Sequence, residues 1–330
     1  MTTSTSSERR NVYTRVTDRI VQSLEQGVRP WHQPWTGGLT DGRMVRPLRH
    51  TGAPYRGINI LLLWCAAMER GFASPHWMTY RQASELGAQV RKGERGSLVI
   101  YADRFVKKDA GANGDEAERE IRFMKGYTVF NVEQIDGLPA QYTTRDAPGA
   151  AFPLIDVAES FVTATGALIR HGGDRAFYSP TGDVIVLPEP AAFRDGASYT
   201  ATKAHELVHW TSHPSRLDRA LGKRFGDEAY AAEELIAELG AAFLCADLGI
   251  AAESRDDHAA YIAHWLRVLK SDRRAIFTAA AHAQAAADYL HGLQPAVAAE
   301  CGRVVLDDPA VSVVPGGSDA RRSWRARTRR

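Results

Sequence analysis

The 330-residue sequence contains no unbroken apolar run near the ~20 residues that a membrane-spanning helix needs, so no membrane partner is expected. Its opening, MTTSTSSERR, has no apolar stretch, and no secretory signal peptide is expected there. Cysteine is scarce. The three residues Cys65, Cys245 and Cys301 are odd in number and far apart, which excludes a disulfide framework and points to a reducing cytoplasm. Cys245 sits in an apolar run and reads as core. A strong net charge is missing too. The balance is +2, with 44% hydrophobic and 24% charged residues, the composition of a folded chain long enough for two domains.

That small net charge conceals an uneven distribution. Residues 1–110 hold 17 Lys+Arg against 9 Asp+Glu, residues 111–300 hold 17 against 27, and residues 301–330 hold 7 against 3. A basic front, an acidic middle and an arginine-rich end (RRSWRARTRR) imply different partners for different parts.

The apolar spacing of Val12, Val16, Ile20 and Leu24 predicts a helix from Glu8 to about Gln26, after a flexible polar leader at 1–7. INILLLWCAAMER (58–70) reads as a buried helix closed by Gly71. MTYRQASELGA is a short helix. SLVIYADRF and FMKGYTVFNV read as paired strands around a long charged loop, DAGANGDEAERE. The first domain, 8–140, is therefore α+β. AQYTTRDAPGAAFP marks a linker at about 141–153. Then come the helix LIDVAESFVTATG, two short strands around Pro180–Gly182, and helices near 198–212, 228–248, 255–270 and 273–291. Together 154–300 form the second domain, and 301–330 reads as a basic, disordered tail.

Residues 205–209 read His-Glu-Leu-Val-His. Side chains at i and i+4 project from one helical face, so His205 and His209 can hold one zinc ion. Glu206 is placed to take a proton from water polarised by the ion and pass it to the leaving amine. The pattern alone is weak, because a chain with 11 histidines produces it by chance in roughly a few per cent of cases. A third ligand is needed. His213 follows His209 too closely for the H-E-x-x-H-x-x-G-x-x-H arrangement and abuts Pro214, so it reads as a helix-end residue. The acidic helix AYAAEELIAELGAAFLCADLG offers better. Glu234 and Glu238 share a face among Leu235, Leu239, Ala242 and Ala246, and buried carboxylates need a cation or hydrogen bonds. A metal ligated by Glu234, with Glu238 bonding a histidine N–H behind it, meets that need. Glu233 reads as a solvated surface residue. The two-histidine, one-carboxylate set favours Zn2+, with Mn2+ or another divalent ion as the alternative.

In the first third, Arg29, Trp31, Trp35, Arg43, Arg46, Arg49, Tyr55 and Arg56 mix cations with aromatics, and Arg81, Arg91, Lys92 and Arg95 extend the basic set. A single DNA strand offers phosphates to the former and base faces to the latter, so this domain reads as a single-stranded DNA binder.

HELVHW followed by EELIAELGAAF resembles the glutamate-zincin metallopeptidases. The resemblance implies His205, His209 and Glu234 as metal ligands, Glu206 as the base, and Glu238, where many relatives carry Asp, as the outer carboxylate. It also implies an antiparallel edge strand that holds substrate, for which DVIVLP (183–188) is the candidate. Tyr178 and Tyr199 read first as packing residues; either is also a candidate donor to the transition state, and nothing in the sequence selects between them. RNVYTRVTDRIVQSLEQGVRPWHQPW, YRGINILLLW, WMTYRQASELGAQVRKGERG and YTVFNVEQIDGLP resemble the N-terminal domain of ArdC antirestriction proteins, also found in plasmid primases of the TraC type. AFYSPTGDVIVLP, HELVHWTSHPSRLDR and EELIAELGAAFLCADLGI resemble the metallopeptidase domain of the same family. Ser212 stands where that family commonly has glycine. The resemblance implies single-stranded DNA binding, a zincin-like second domain, and protection of incoming plasmid DNA from host restriction enzymes. A non-enzymatic DNA coat with a structural metal and a primase accessory remain the alternatives.

Overall fold

The structure, a computed structural model, describes residues 4–31, 45–110, 116–143, 154–219, 228–250 and 258–295. Trp35, Arg43, most of the expected linker and the basic tail lie outside these residues. α1 (Ser4–Glu25) buries Val16, Ile20 and Leu24, the stripe that a four-residue spacing puts on one face. It starts at Ser4, so residues 4–7, expected as leader, are helical. β1 (Leu48–Arg49) leads to α2 (Ile58–Arg70), in which every residue from Ile60 to Ala67 is buried, as befits a helix apolar all round. Gly71 ends α2 with φ 69°, and its N–H reaches Ala67 O, a left-handed cap that a Cβ would penalise.

β2 (His76–Met78), α3 (Tyr80–Glu85) and β3 (Gln89–Val90) follow, with Thr79 and Gln82 forming a reciprocal cap on α3. β4 (Ser97–Ala110) and β5 (Glu116–Asn131) are far longer than expected, pairing in register from Ser97↔Val129 to Ala110↔Glu116. Most of the charged segment taken for loop is strand. Backbone pairing carries it without the apolar alternation by which a half-buried strand is recognised. A 3-10 turn at Val132–Gln134, β6 (Ile135–Asp136) and α4 (Ala140–Thr143) complete this half, and α4 begins inside the expected linker.

The second half runs α5 (Leu154–Ala164), β7 (Leu168–His171), β8 (Phe177–Ser179), β9 (Val184–Leu187), α6 (Gly196–Trp210), α7 (Glu228–Leu248), α8 (His258–Ser271) and α9 (Ala275–Gly292). Among the described residues the strands form sheets of order β1-β2-β5-β4, β3-β6 and β7-β9-β8. β9 is thus the interior strand of its sheet, parallel to β7 and antiparallel to β8. This corrects the expectation of an edge strand at 183–188. The β-branched run VIVL takes the doubly paired position, and the antiparallel edge is β8.

The two domains meet in one large shared core, beside smaller clusters around Met78 and Val16 in the first. A single cluster joins Ile20, Trp31 and Trp64 to Leu207, Phe243, Trp265 and Leu290, and residues through Gln294 form one compact unit. Thr17 Oγ1 donates to Arg273 O at 2.7 Å, and Lys270 pairs with Glu25 at 2.6 Å, tying α1 to the α8–α9 corner. No described helix is long and apolar enough to cross a membrane.

Candidate metal centre

Asp195 starts α6 by accepting the Ser198 N–H at 2.8 Å. Two to four turns on, His205, Glu206 and His209 are all buried. The Nε2 atoms of His205 and His209 stand 3.1 Å apart. Glu234 of α7 reaches both, with Oε2 3.5 Å from His205 Nε2 and Oε1 3.4 Å from His209 Nε2. One donor atom from each of the three lies within 4.8 Å of the others. Two imidazole nitrogens and one carboxylate converging at this spacing fit a divalent cation such as zinc.

Each outer nitrogen faces a carboxylate, within hydrogen-bond reach at His209 and just beyond it at His205. His205 Nδ1 faces Glu238 Oε1 at 3.6 Å, and His209 Nδ1 faces Glu233 Oε1 at 3.3 Å. Glu233 is only 4% exposed, so its reading as a solvated residue is corrected. Its partner, Arg219, lies 14 residues earlier in the sequence, too far for helix spacing to pair them. Arg219 forks onto Glu233, Nη2 to Oε1 at 2.8 Å and Nε to Oε2 at 3.2 Å. Helix spacing makes this reach feasible. A Cβ on Gly240 would stand 2.8 Å from Val208 Cγ2, so α7 approaches α6 more closely there than any side chain would allow.

The carboxylates set the charge of the site. Burial alone lowers the His209 imidazole, but hydrogen bonds it donates to the Glu233 and Glu234 carboxylates, with the Glu234 and Glu206 charges, raise it to about 10. Burial opposes ionisation of Glu234, yet His205 and His209 hold its carboxyl far below the usual range. Without a cation, therefore, His209 keeps a proton at neutral pH that an incoming metal must displace. Metal affinity should rise as pH climbs toward about 10, and uptake should release about one proton between pH 6 and 8. Calorimetry in buffers of different protonation enthalpy measures this, and a proton-neutral uptake contradicts it.

Neither tyrosine donor is unengaged. Tyr178 O–H donates to Asp183 at 2.9 Å and accepts from Arg216 at 3.1 Å, and burial followed by Asp183 pushes it up to about 12. Tyr199 meets His171 Nε2 at 2.8 Å, and its ring lies 4.1 Å from Lys203 Nζ. His213 accepts from Ser215 beyond the end of α6, apart from the metal cluster.

The expected DNA-binding residues divide. Trp31 is fully buried and packs edge-on against Trp265 at 6.0 Å. Tyr55 is buried, which pushes its hydroxyl up to about 12 against the opposing charge of Arg49. Arg46 is buried too, with Nε 2.6 Å from Asp247 and Nη1 3.0 Å from Gln284, so it ties the first half to α7 and α9. These three are corrected to core roles: apolar and planar groups near irregular chain read alike whether they face solvent or staple that chain down. Arg29 is partly buried. Arg49, Arg56, Arg81, Arg91, Lys92 and Arg95 are exposed. Of these, Arg56 pairs with Asp288, Arg81 with Glu85 and Arg91 with Glu94. Missed by sequence reasoning are Tyr101 and Tyr127, 36% and 46% exposed, whose rings meet edge-on at 6.3 Å across β4 and β5. Exposed Lys125 stands opposite Tyr101 in register.

A basic mixed half and a helical half carrying an H-E-x-x-H helix faced by a glutamate helix define a two-part, zincin-like protein. Family comparison agrees. Residues 156–282 match the zincin-like metallopeptidase family, and residues 10–130 match the N-terminal domain of anti-restriction factor ArdC. The chain is similar to the metal-free crystal structure of the antirestriction ArdC protein from the R388 plasmid: 50% identity, TM-score 0.71, covering 85% of this chain and 97% of that one. The Mn(II)-bound form of that protein aligns at 48% identity and TM-score 0.69, with the same coverage. An uncharacterized protein, y4eC, of Sinorhizobium fredii (strain NBRC 101917 / NGR234) is 45% identical over 293 residues, covering 86% of this chain and 92% of that protein. DNA primase TraC of Escherichia coli is 41% identical over 291 residues, 84% of this chain, although the match spans only 26% of the primase. The chain belongs to the ArdC family, and its zincin-like domain implies a divalent metal.

Proposed function

We propose that this chain binds single-stranded DNA through its N-terminal half and holds Zn2+, or Mn2+ in its place, at His205, His209 and Glu234. With Glu206 as base it cleaves a peptide bond in a DNA-bound host protein, such as a restriction enzyme, and so protects incoming plasmid or mobile-element DNA in the cytoplasm. The observation that carries the metallopeptidase reading is the meeting of two histidines and Glu234 inside 4.8 Å with Glu206 on the same helix. A structural metal site needs the ligands but no base beside them. The bound ion supplies Lewis acidity toward water and the peptide carbonyl. Glu206 moves the proton, Glu233 and Glu238 face the histidine rings from behind, and the edge of β8, unpaired among the described residues, can take substrate in extended form. The likeness to an ArdC protein solved with Mn(II) supports manganese as a competent ion.

The DNA reading rests on the exposed cations of the basic half and on the shared segment with a DNA primase. Surface ion pairs such as Arg81–Glu85 contribute little, so those guanidiniums are free to turn to phosphate. Tyr101, Tyr127 and Lys125 add an aromatic platform with a cation. If about five phosphates are neutralised, log affinity for a single strand should fall with log salt at a slope of about −3.5. Replacing Tyr101 and Tyr127 together by alanine should cost about 1–3 kcal/mol per lost base stack. Fluorescence anisotropy with the full chain measures both. Absent or salt-insensitive binding sinks the DNA assignment. The full chain is required, because a fragment ending near residue 140 would strip α1 and Trp31 of the α8 surface they pack on.

A further inference from the structure

Resting on the metal-centre reading, we infer that Arg219 is a positioning residue for the metal: it clamps Glu233, and Glu233 in turn holds the His209 ring with Nε2 turned to the ion. Arg219 and Glu233 have side chains only 5% exposed each, so neither is a surface pair that water screens. The guanidinium grips the carboxylate at two points, Nη2 to Oε1 at 2.8 Å and Nε to Oε2 at 3.2 Å, which fixes the plane of the carboxylate as well as its position. The oxygen so fixed, Oε1, is the one 3.3 Å from His209 Nδ1.

The other end of Arg219 is anchored on the metal helix itself. Nη2 also donates to Val208 O at 2.8 Å, and Nη1 donates to Thr211 Oγ1 at 2.8 Å. Val208 and Thr211 lie on either side of His209 at the end of α6, where Val208 O also accepts from the Thr211 hydroxyl at 2.6 Å, so the guanidinium joins a bonded helix end. One planar group therefore spaces the last turn of α6 against α7 at the level of His209. A histidine whose Nδ1–H is held by a carboxylate presents Nε2 as the lone-pair donor, and the ring loses the freedom to turn. Lysine cannot copy this arrangement, since a single ammonium has no fork to fix the carboxylate while also serving two acceptors on α6.

The test compares R219Q, R219K, E233Q and R219Q/E233Q in the full chain. Zinc affinity is read by competition with a chromophoric chelator, ligand geometry by the visible spectrum of the Co(II)-loaded protein, and folding by circular dichroism. R219Q should weaken zinc about 10–100-fold and alter the Co(II) spectrum, with R219K restoring only part of the affinity. The double variant should be no weaker than the worse single one, because both act through one carboxylate. A folded R219Q with zinc affinity within twofold of the parent and an unchanged spectrum overturns the inference, as do additive losses. Should R219Q fail to fold, E233Q decides: parental affinity in that near-isosteric variant overturns the inference, and a tenfold or larger loss upholds it. If the parent chain binds no divalent ion, the centre itself falls. If the parent binds and the variants match it, Arg219 alone is removed from the account.

Discussion

Glu206→Ala should leave the divalent ion bound within a few-fold of the parent affinity and abolish metal-dependent proteolysis. Glu206 follows His205 directly on α6 and is 3% exposed, in a helix where few buried acids would be tolerated without a task. It is not among the three residues that bring donor atoms together, so its removal spares His205, His209 and Glu234. Losing a positioned general base costs about 10²–10⁴-fold in rate. That range exceeds what altered folding of a minority of molecules would produce, and single-stranded DNA binding supplies an internal control. Two readouts are needed: cleavage of restriction enzymes and other DNA-bound host proteins in the presence of a single strand, and survival of plasmid DNA entering a restricting recipient. Loss of both, with metal and DNA binding kept, supports the peptidase. Unchanged protection removes the peptidase reading and leaves a metal-stabilised DNA coat in its place.

The parts of this centre that local spacing encodes were readable in the chain. His205 and His209 sit one turn apart by arithmetic, and Glu234 and Glu238 share a face for the same reason, with their alanine and leucine neighbours announcing burial. Glu233 is not legible in this way, because helix spacing places it off that face. Its partner Arg219 lies 14 residues earlier, a pairing that no helix spacing announces. Helices α2, α6 and α7 are legible to within about two residues because long runs rich in helix formers end at Gly71, Pro214 and Gly249, and α1 is legible from Glu8 onward by its four-residue apolar stripe. The short strands β1, β2, β3, β6 and β7 escaped, since two to four residues carry no usable period. The far ends of β4 and β5 escaped because charged residues hid a register carried by the backbone. The basic half was the hardest to read, since composition locates a surface only when its residues face solvent, and Trp31, Arg46 and Tyr55 do not.

Trp31→Ala separates those two readings of the first half. A tryptophan that stacks on bases should, when truncated, lower DNA affinity and leave stability alone. The structure requires the reverse. Trp31 is fully buried, and its ring meets Trp265 of α8 edge-on at 6.0 Å, within the cluster that also holds Ile20 and Leu24 of α1. Truncation removes that contact and opens a cavity between the basic half and the metallopeptidase helices, a change that typically costs about 3–5 kcal/mol. For a chain of this size the melting temperature should fall by roughly 10 °C. The folded fraction at low temperature should bind a single strand as the parent does, while replacing exposed Lys92 and Arg95 together should lower DNA affinity and leave melting unchanged. Calorimetric melting paired with anisotropy titration at 10 °C reads both effects. A Trp31→Ala chain that melts like the parent but loses tenfold or more in DNA affinity would return Trp31 to the DNA surface.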